Sequence, residues 1–340
     1  MLKKVSITAL LLLVIAAGFL FYGYSQIEKY SQSTLLIKEK TLFKLPFGTG
    51  RVALENKLVA EGVIPKSRAF AMLLKLKPEL SHFKAGTYRL EPAMTIEQML
   101  ALFASGQEAQ FTLQFIEGTK AVDWLEKLAI TDGIEHTLTG KSQKEIADLL
   151  GIKDPAHLEG WFYPDTYLYT DGTKDIDLLT RAYKRMKLVL DEQWAMRAKG
   201  LPYENAYEML IMASIIEKET GIDSERTKVA SVFVNRLKLK MKLQTDPTII
   251  YGLGDDYKGT ILRSHLRQAT EYNTYIIDGL PPTPIAMPSL SSLQAAANPD
   301  KTDYLYFVAT GNGGHQFSRT LREHNRAVSE FRKTLAKQRE

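Results

Sequence analysis

The sequence predicts an α+β protein: an N-terminal transmembrane helix, a small strand–helix–helix–strand module, then a mixed, helix-rich domain. Three observations carry this. Val5–Tyr24 (VSITALLLLVIAAGFLFYGY) holds no charged residue. Strand-like runs at Thr41–Leu45 and Gly86–Leu90 bracket two stretches with apolar residues at helical spacing. From Asp177 onward helical periodicity dominates, interrupted by Gly200-Leu201-Pro202 and by a hairpin pattern near the C-terminus.

The chain of 340 residues has room for two or three domains. Its net charge is +5, with the basic residues spread rather than blocked. That balance argues against a dedicated nucleic-acid protein and fits mild attraction to an acidic surface, such as a membrane or an anionic wall polymer. The absence of cysteine excludes disulfides, zinc–thiolate sites and a cysteine nucleophile. Six scattered histidines suggest no metal cluster. No P-loop or H-E-x-x-H motif occurs, so neither a metal nor another cofactor is expected.

In chain order, residues 1–4 carry Lys3 and Lys4 ahead of the apolar run at 5–24, which is long enough to span a bilayer. A cleaved signal peptide with small residues at Ala16-Ala17-Gly18 is the competing reading. Apolar residues continue through Phe19–Tyr22, which favours an uncleaved anchor. The lysines place the N-terminus in the cytoplasm and the rest of the chain outside. Residues 25–40 read as a polar stalk. The module at 41–109 follows: strand Thr41–Leu45, a turn at Gly48-Thr49-Gly50, a helix ending near Gly62, a helix Arg68–Leu76 stopped by Pro78, strand Gly86–Leu90, and a helix Ile96–Phe103 capped by Thr95 with Gln98.

Residues 110–200 read as a second α/β unit and linker. Gly118-Thr119, Val122 and Lys127-Leu128 echo Gly48-Thr49, Val52 and Lys57-Leu58, which suggests two related strand–turn–helix units. Glu159–Thr170 (EGWFYPDTYLYT) is aromatic-dense and suits either sugar faces or a packed core. A long amphipathic helix is expected over Asp177–Lys199.

Residues 201–340 hold the candidate chemistry. Met209–Gly221 (MLIMASIIEKETG) is almost wholly apolar until Glu217 and Glu219, with Gly221 as the expected C-cap. A carboxyl held against apolar surface keeps its proton to higher pH and can act as a general acid. The blander reading is a solvated helix end. Ser224 is the expected N-cap of a helix Glu225–Leu239, and Asp246 the N-cap ahead of Pro247. Gly279–Ile285 is a proline-fixed loop. Strands are expected at Tyr304–Ala309 and Gln316–Ser318, then a helix capped by Thr320 and Glu323, on which His324 reads as structural.

The motifs ASIIEKET at 213–220, SVFVNRL at 231–237, LQTDPTIIYG at 243–252, YNTY at 272–275, GLPPTPI at 279–285 and YLYFVATGNGGHQF at 304–317 together resemble the YceG-like endolytic murein transglycosylases. EGWFYPDTY and FKAGTYRL extend the similarity toward the N-terminus, and the module at 41–109 resembles a LysM-like, glycan-contacting unit. The resemblance implies a single-pass protein of the bacterial inner membrane, its bulk periplasmic. Its substrate would be nascent peptidoglycan strands and its partners the peptidoglycan synthases. It implies Glu217 as catalytic acid/base and Glu219 in support. Beside it, Asn235, Gln244, Asn273 and Tyr275 are candidates to hydrogen-bond glycan hydroxyls and acetamides or to position Glu217, and Tyr251 to stack on a sugar; the alternative for each is a core residue with a satisfied hydrogen bond. The two glutamates lie two apart on one helix and cannot face each other across a bond. No second carboxyl has a strong claim, which favours a single-carboxyl lytic reaction yielding 1,6-anhydromuramyl ends. A muramidase and a non-catalytic wall-binding scaffold are the alternatives.

Overall fold

A computed structural model describes residues 2–153 and 157–338. The chain forms two compact units, Met1–Phe111 with Leu168–Asp171, and Thr112–Tyr167 with Gly172–Glu340.

In the first unit, α1 (Leu2–Ser31) contains the apolar run and is long and apolar enough from Ala9 to cross a membrane. The helix does not stop at Tyr24. It continues to Ser31, because Ile27 and Tyr30 pack against the unit's core and Ser31 Oγ donates to Glu97 (3.0 Å). Leu35 is buried in that core as well, so the stretch read as a polar stalk is partly structural. Strand β1 (Thr41–Leu45), α2 (Arg51–Ala60), α3 (Arg68–Leu76), β2 (Gly86–Leu90) and α4 (Ile96–Ser105) follow. β1 and β2 are antiparallel, Thr41 opposite Leu90. Thr95 and Gln98 form the expected reciprocal cap, each accepting the other's backbone N–H. Pro78 opens a short 3-10 turn, Pro78–Ser81. Phe43, Phe70, Leu73, Tyr88 and Phe103 are fully buried between sheet and helices.

The chain leaves this unit on β3 (Phe111–Gln114), which pairs with β5 (Thr166–Tyr169). Between them lie α5 (Ala121–Ala129), β4 (Ile134–Glu135) and α6 (Gln143–Leu150). The echo seen in the sequence is a structural repeat at the turn. Gly48 and Gly118 both adopt left-handed φ (77° and 71°), a conformation glycine takes without a Cβ penalty. Thr49 Oγ1 and Thr119 Oγ1 each donate to the carbonyl three residues back (2.7 and 2.6 Å).

β6 (Thr173–Lys174) pairs in parallel with β4 and leads into α7 (Asp175–Ala195). α8 (Ala206–Glu219) is the centre of the second unit: Met209 through Ile216 are at most 3% exposed. A helix apolar on all sides must be covered on all sides. α7, α9 (Asp223–Lys238), α10 (Asp246–Leu253) and α11 (Leu290–Ala297) pack against it. Hairpin β7 (Tyr306–Ala309) and β8 (His315–Ser318) and then α12 (Leu321–Gln338) complete the chain.

Three expected caps differ. α8 ends on extended Thr220, whose Oγ1 accepts the Ile222 N–H (3.0 Å), so Gly221 is not a left-handed cap. α9 starts at Asp223, which puts Ser224 inside the first turn. Thr245, not Asp246, precedes α10, and this frees the Asp246 carboxylate for another partner.

Candidate active site

The end of α8 points its two carboxyls in different directions, as residues two apart on a helix must. Glu217 turns toward α9 and α11. Its Oε2 accepts from Ser289 N–H (2.9 Å) and Ser289 Oγ (2.5 Å), and Arg226 Nη1 stands 3.2 Å away. The carboxylate and guanidinium are 5% and 8% exposed. Ser289 is the N-cap of α11 and its hydroxyl also accepts the Ser292 N–H, so Glu217 ties α8 to a helix start. Arg226 is held further by Asp223 (2.9 Å) and Ser292 Oγ (2.6 Å). The apolar setting expected for Glu217 is therefore wrong: its charge is met by a buried arginine.

Glu219 turns the other way and lines a cavity of about 380 Å³. Arg236, Gln244, Asp246, Tyr275, Tyr306 and His324 share its walls, with Phe233 and Phe307 as apolar lining. Burial pushes the Glu219 pKa up to about 7; the Thr245 hydroxyl, which donates to Glu219 Oε1, opposes the rise, and the charge of Asp246 adds to it. Asp246 in turn accepts from the Tyr275 hydroxyl (2.8 Å). Tyr275 is driven above the usual tyrosine range, chiefly by burial and then by that carboxylate, so it stays a donor.

Gln244 is built into the wall with left-handed φ (51°), rare outside glycine and a backbone strain of the kind found near functional sites. Its N–H donates to Thr274 O (3.1 Å) and its Oε1 accepts from Arg236 Nη1 (3.3 Å). Arg236 also donates to the carbonyls of Leu305, Lys242 and Leu243, fastening the wall on both sides. His324 stacks on Tyr306 with 5.2 Å between ring centroids. Its Nδ1 is buried and has no hydrogen-bond partner among the described residues, an unusual cost for a structural histidine. Burial chiefly, and then the Arg236 charge, lowers its pKa, both favouring the neutral ring.

The structure thus brings Glu219, Gln244 and Tyr275 to one cavity and leaves the other candidates outside. Asn235 spends its amide on Thr302 O (2.8 Å) and Tyr304 O (3.0 Å). Asn273, 1% exposed, donates to His265 O and Gln268 O and accepts the Tyr275 N–H, so it shapes the loop that presents Tyr275. Tyr251 donates to Glu159 Oε2 (3.0 Å) and packs on Tyr272. The aromatics after Glu159 serve the core: Phe162 packs by Trp124, Tyr167 by Phe115, and Trp161 stacks on Tyr207.

Two carboxyls escaped sequence reasoning. Asp246 looked like a cap because Asp-Pro is a helix-start signal; the cap one residue earlier reassigns it. Glu159 opens an aromatic run and gave no sign of its burial. It is 3% exposed, and burial lifts its pKa to about 7, against bonds from Tyr251 and the Ala121 N–H. Among the described residues no group of three or more His, Asp or Glu side chains could hold a metal ion.

The YceG-like family profile matches residues 43–330. An endolytic murein transglycosylase of Bacillus subtilis is 34% identical, over 94% of this chain and 91% of that protein. An endolytic murein transglycosylase of Streptococcus pneumoniae is 27% identical, over 96% of this chain and 64% of that one. The crystal structure of a yceG-like protein from Listeria monocytogenes superposes with a TM-score of 0.54 at 31% identity, covering 85% of this chain and 99% of that chain.

Proposed function

This chain belongs to the YceG-like family, and from that premise we infer that it is a lytic transglycosylase that cleaves peptidoglycan glycan strands internally. The observation that supports a mechanism is Glu219: a carboxyl with a pKa of about 7, opening on a polar cavity. We assign the acid/base role to it rather than to Glu217. As the acid, Glu219 gives its proton to the oxygen bridging N-acetylmuramic acid and N-acetylglucosamine. The C1–O bond breaks and positive charge develops at the muramyl C1. The carboxylate so formed takes the proton of that sugar's own 6-hydroxyl, whose oxygen attacks C1. Glu219 ends protonated, the product carries a 1,6-anhydro ring, and no water is consumed.

Asp246 places a negative charge where C1 becomes electron-poor, and Tyr275 fixes its direction. Gln244 and His324 present an amide and a ring nitrogen to glycan hydroxyls and acetamides. Glu217 supports by holding α8 against α9 and α11. Asn235, Tyr251 and Asn273 act through the walls they brace. The remaining assignments belong to the same proposal: anchor at 5–24, LysM-like glycan contact by the module at 41–109, chemistry in 201–340, a periplasmic position and synthases as neighbours.

One observation favours a second reading. Asp246 gives the cavity a second carboxyl, the requirement of a hydrolase that activates water. Product mass decides. Glycan digested by the purified protein should carry ends lighter by one water than hydrolysed ends. Reducing, hydrated ends throughout would make the protein a muramidase.

A further inference from the structure

We propose that the face of α3 and the groove beside it form a docking surface for anionic phospholipid headgroups of the bilayer that α1 crosses. The proposal rests on the membrane-anchor reading of α1. Two contacts set the level of α3. Its C-terminal neighbour Lys77 lies 3.7 Å from Glu28, and Tyr30 Oη donates to Pro65 O (3.4 Å), just before its start. Glu28 is the first charge after the uncharged run of α1. α3 therefore lies against α1 where that helix leaves the apolar slab, at the height of the headgroups.

What α3 shows there is a mixed face. Arg68, Met72, Lys75 and Leu76 follow the i, i+4, i+7, i+8 pattern of one helix side. Met72 and Leu76 are 51% and 52% exposed. Beside them opens a groove of about 530 Å³, lined by Arg51, Lys66, Arg68 and Lys75 against the single carboxylate of Glu55. These cations have no carboxylate partner among the described residues. Elsewhere in the unit Lys40 pairs with Glu91 (2.8 Å), Lys57 with Glu61 (2.5 Å) and Lys77 with Glu97 (2.7 Å), while Lys84 and Arg89 donate to backbone carbonyls. Unpaired cations interleaved with exposed methionine and leucine suit a surface of phosphates over acyl chains, where each cation near the headgroups contributes roughly fivefold in affinity.

Because the chain has no cysteine, Met72→Cys creates a unique labelling site on an exposed position. The full-length chain, labelled there with a polarity-sensitive fluorophore, is inserted into nanodiscs holding a headgroup-level nitroxide lipid. Quenching should rise roughly twofold or more when phosphatidylglycerol replaces part of the phosphatidylcholine, and fall back in high salt. Lys66→Glu, Arg68→Glu and Lys75→Glu together should abolish the rise. Equal quenching in both lipids, or a rise that survives charge reversal, overturns the proposal. A response in phosphatidylcholine discs to soluble polyphosphate, with none to phosphatidylglycerol, would give the groove to a soluble anion and also overturn it. Failure of the labelled chain to co-elute with discs of either composition would instead remove the anchor reading beneath it.

Discussion

The two faces of the last turn of α8 carry the same side chain in opposite circumstances. On one face Glu217 meets a buried arginine and a helix start, and every strong partner it has is already in place. On the other, Glu219 meets one hydroxyl, a neighbouring negative charge and an open cavity. The first arrangement ties helices together; the second leaves a buried carboxyl of raised proton affinity facing open space. Glu159 sharpens the lesson. Its pKa is also lifted to about 7, yet its two oxygens are occupied by Tyr251 and a backbone N–H, and the cavity that Glu219 lines does not include it. Raised proton affinity marks burial. Raised affinity beside empty, polar space marks a candidate for catalysis.

The contrast can be broken most severely at Glu219. Glu219→Gln should cut glycan cleavage by about 10³-fold or more while the chain stays folded, as loss of a general acid/base does. Glu217→Gln should do the reverse. Cleavage per folded molecule should change little, but stability to urea should fall by about 2 kcal/mol, because Arg226 keeps only the exposed Asp223 carboxylate and Ser289 loses a charged acceptor.

The pH dependence gives the next largest effects. Glu219 must enter the reaction protonated, so the rate should fall about tenfold per pH unit above its pKa of about 7. Burial raises the folded-state pKa of Glu159 from 4.5 to about 7, so its contribution to stability is fully present below about pH 4.5 and lost as pH rises toward 7. Glu159→Gln should therefore be more stable than the parent at pH 8 relative to pH 5, by on the order of 2 kcal/mol on comparing the two unfolding curves. Smaller still, Tyr275→Phe should slow cleavage by about tenfold without altering the fold, since it removes one hydrogen bond to Asp246.

Much of the first unit was legible. β1, α3 and β2 fall on the residues expected, and the Thr95–Gln98 cap is present, because local signals and local packing agree there. The echo of Gly48-Thr49 in Gly118-Thr119 was legible for the same reason: the turn is made by two adjacent residues. What was not legible depends on contacts distant in sequence. Nothing in EKET shows that Arg226 and Ser289 come to Glu217, or that Thr245 and Asp246 come to Glu219. The caps misjudged at Gly221, Ser224 and Asp246 are shifts of one or two residues, and the last of them hid a cavity carboxylate behind a helix-start motif. The asparagines read as sugar-binding candidates donate to backbone carbonyls of loops, since an amide serves buried carbonyls as well as it serves hydroxyls.

The proton itself is the most direct test. Infrared difference spectra of the parent and Glu219→Gln, titrated from below pH 5 to above pH 8, isolate one carboxyl. In the parent-minus-variant spectrum, where the Glu159 band common to both cancels, the account predicts one protonated-carboxyl band that is lost at about pH 7. If that difference band is absent at pH 6, with the parent and Glu219→Gln showing the same carboxyl bands, Glu219 is not the group that holds the proton.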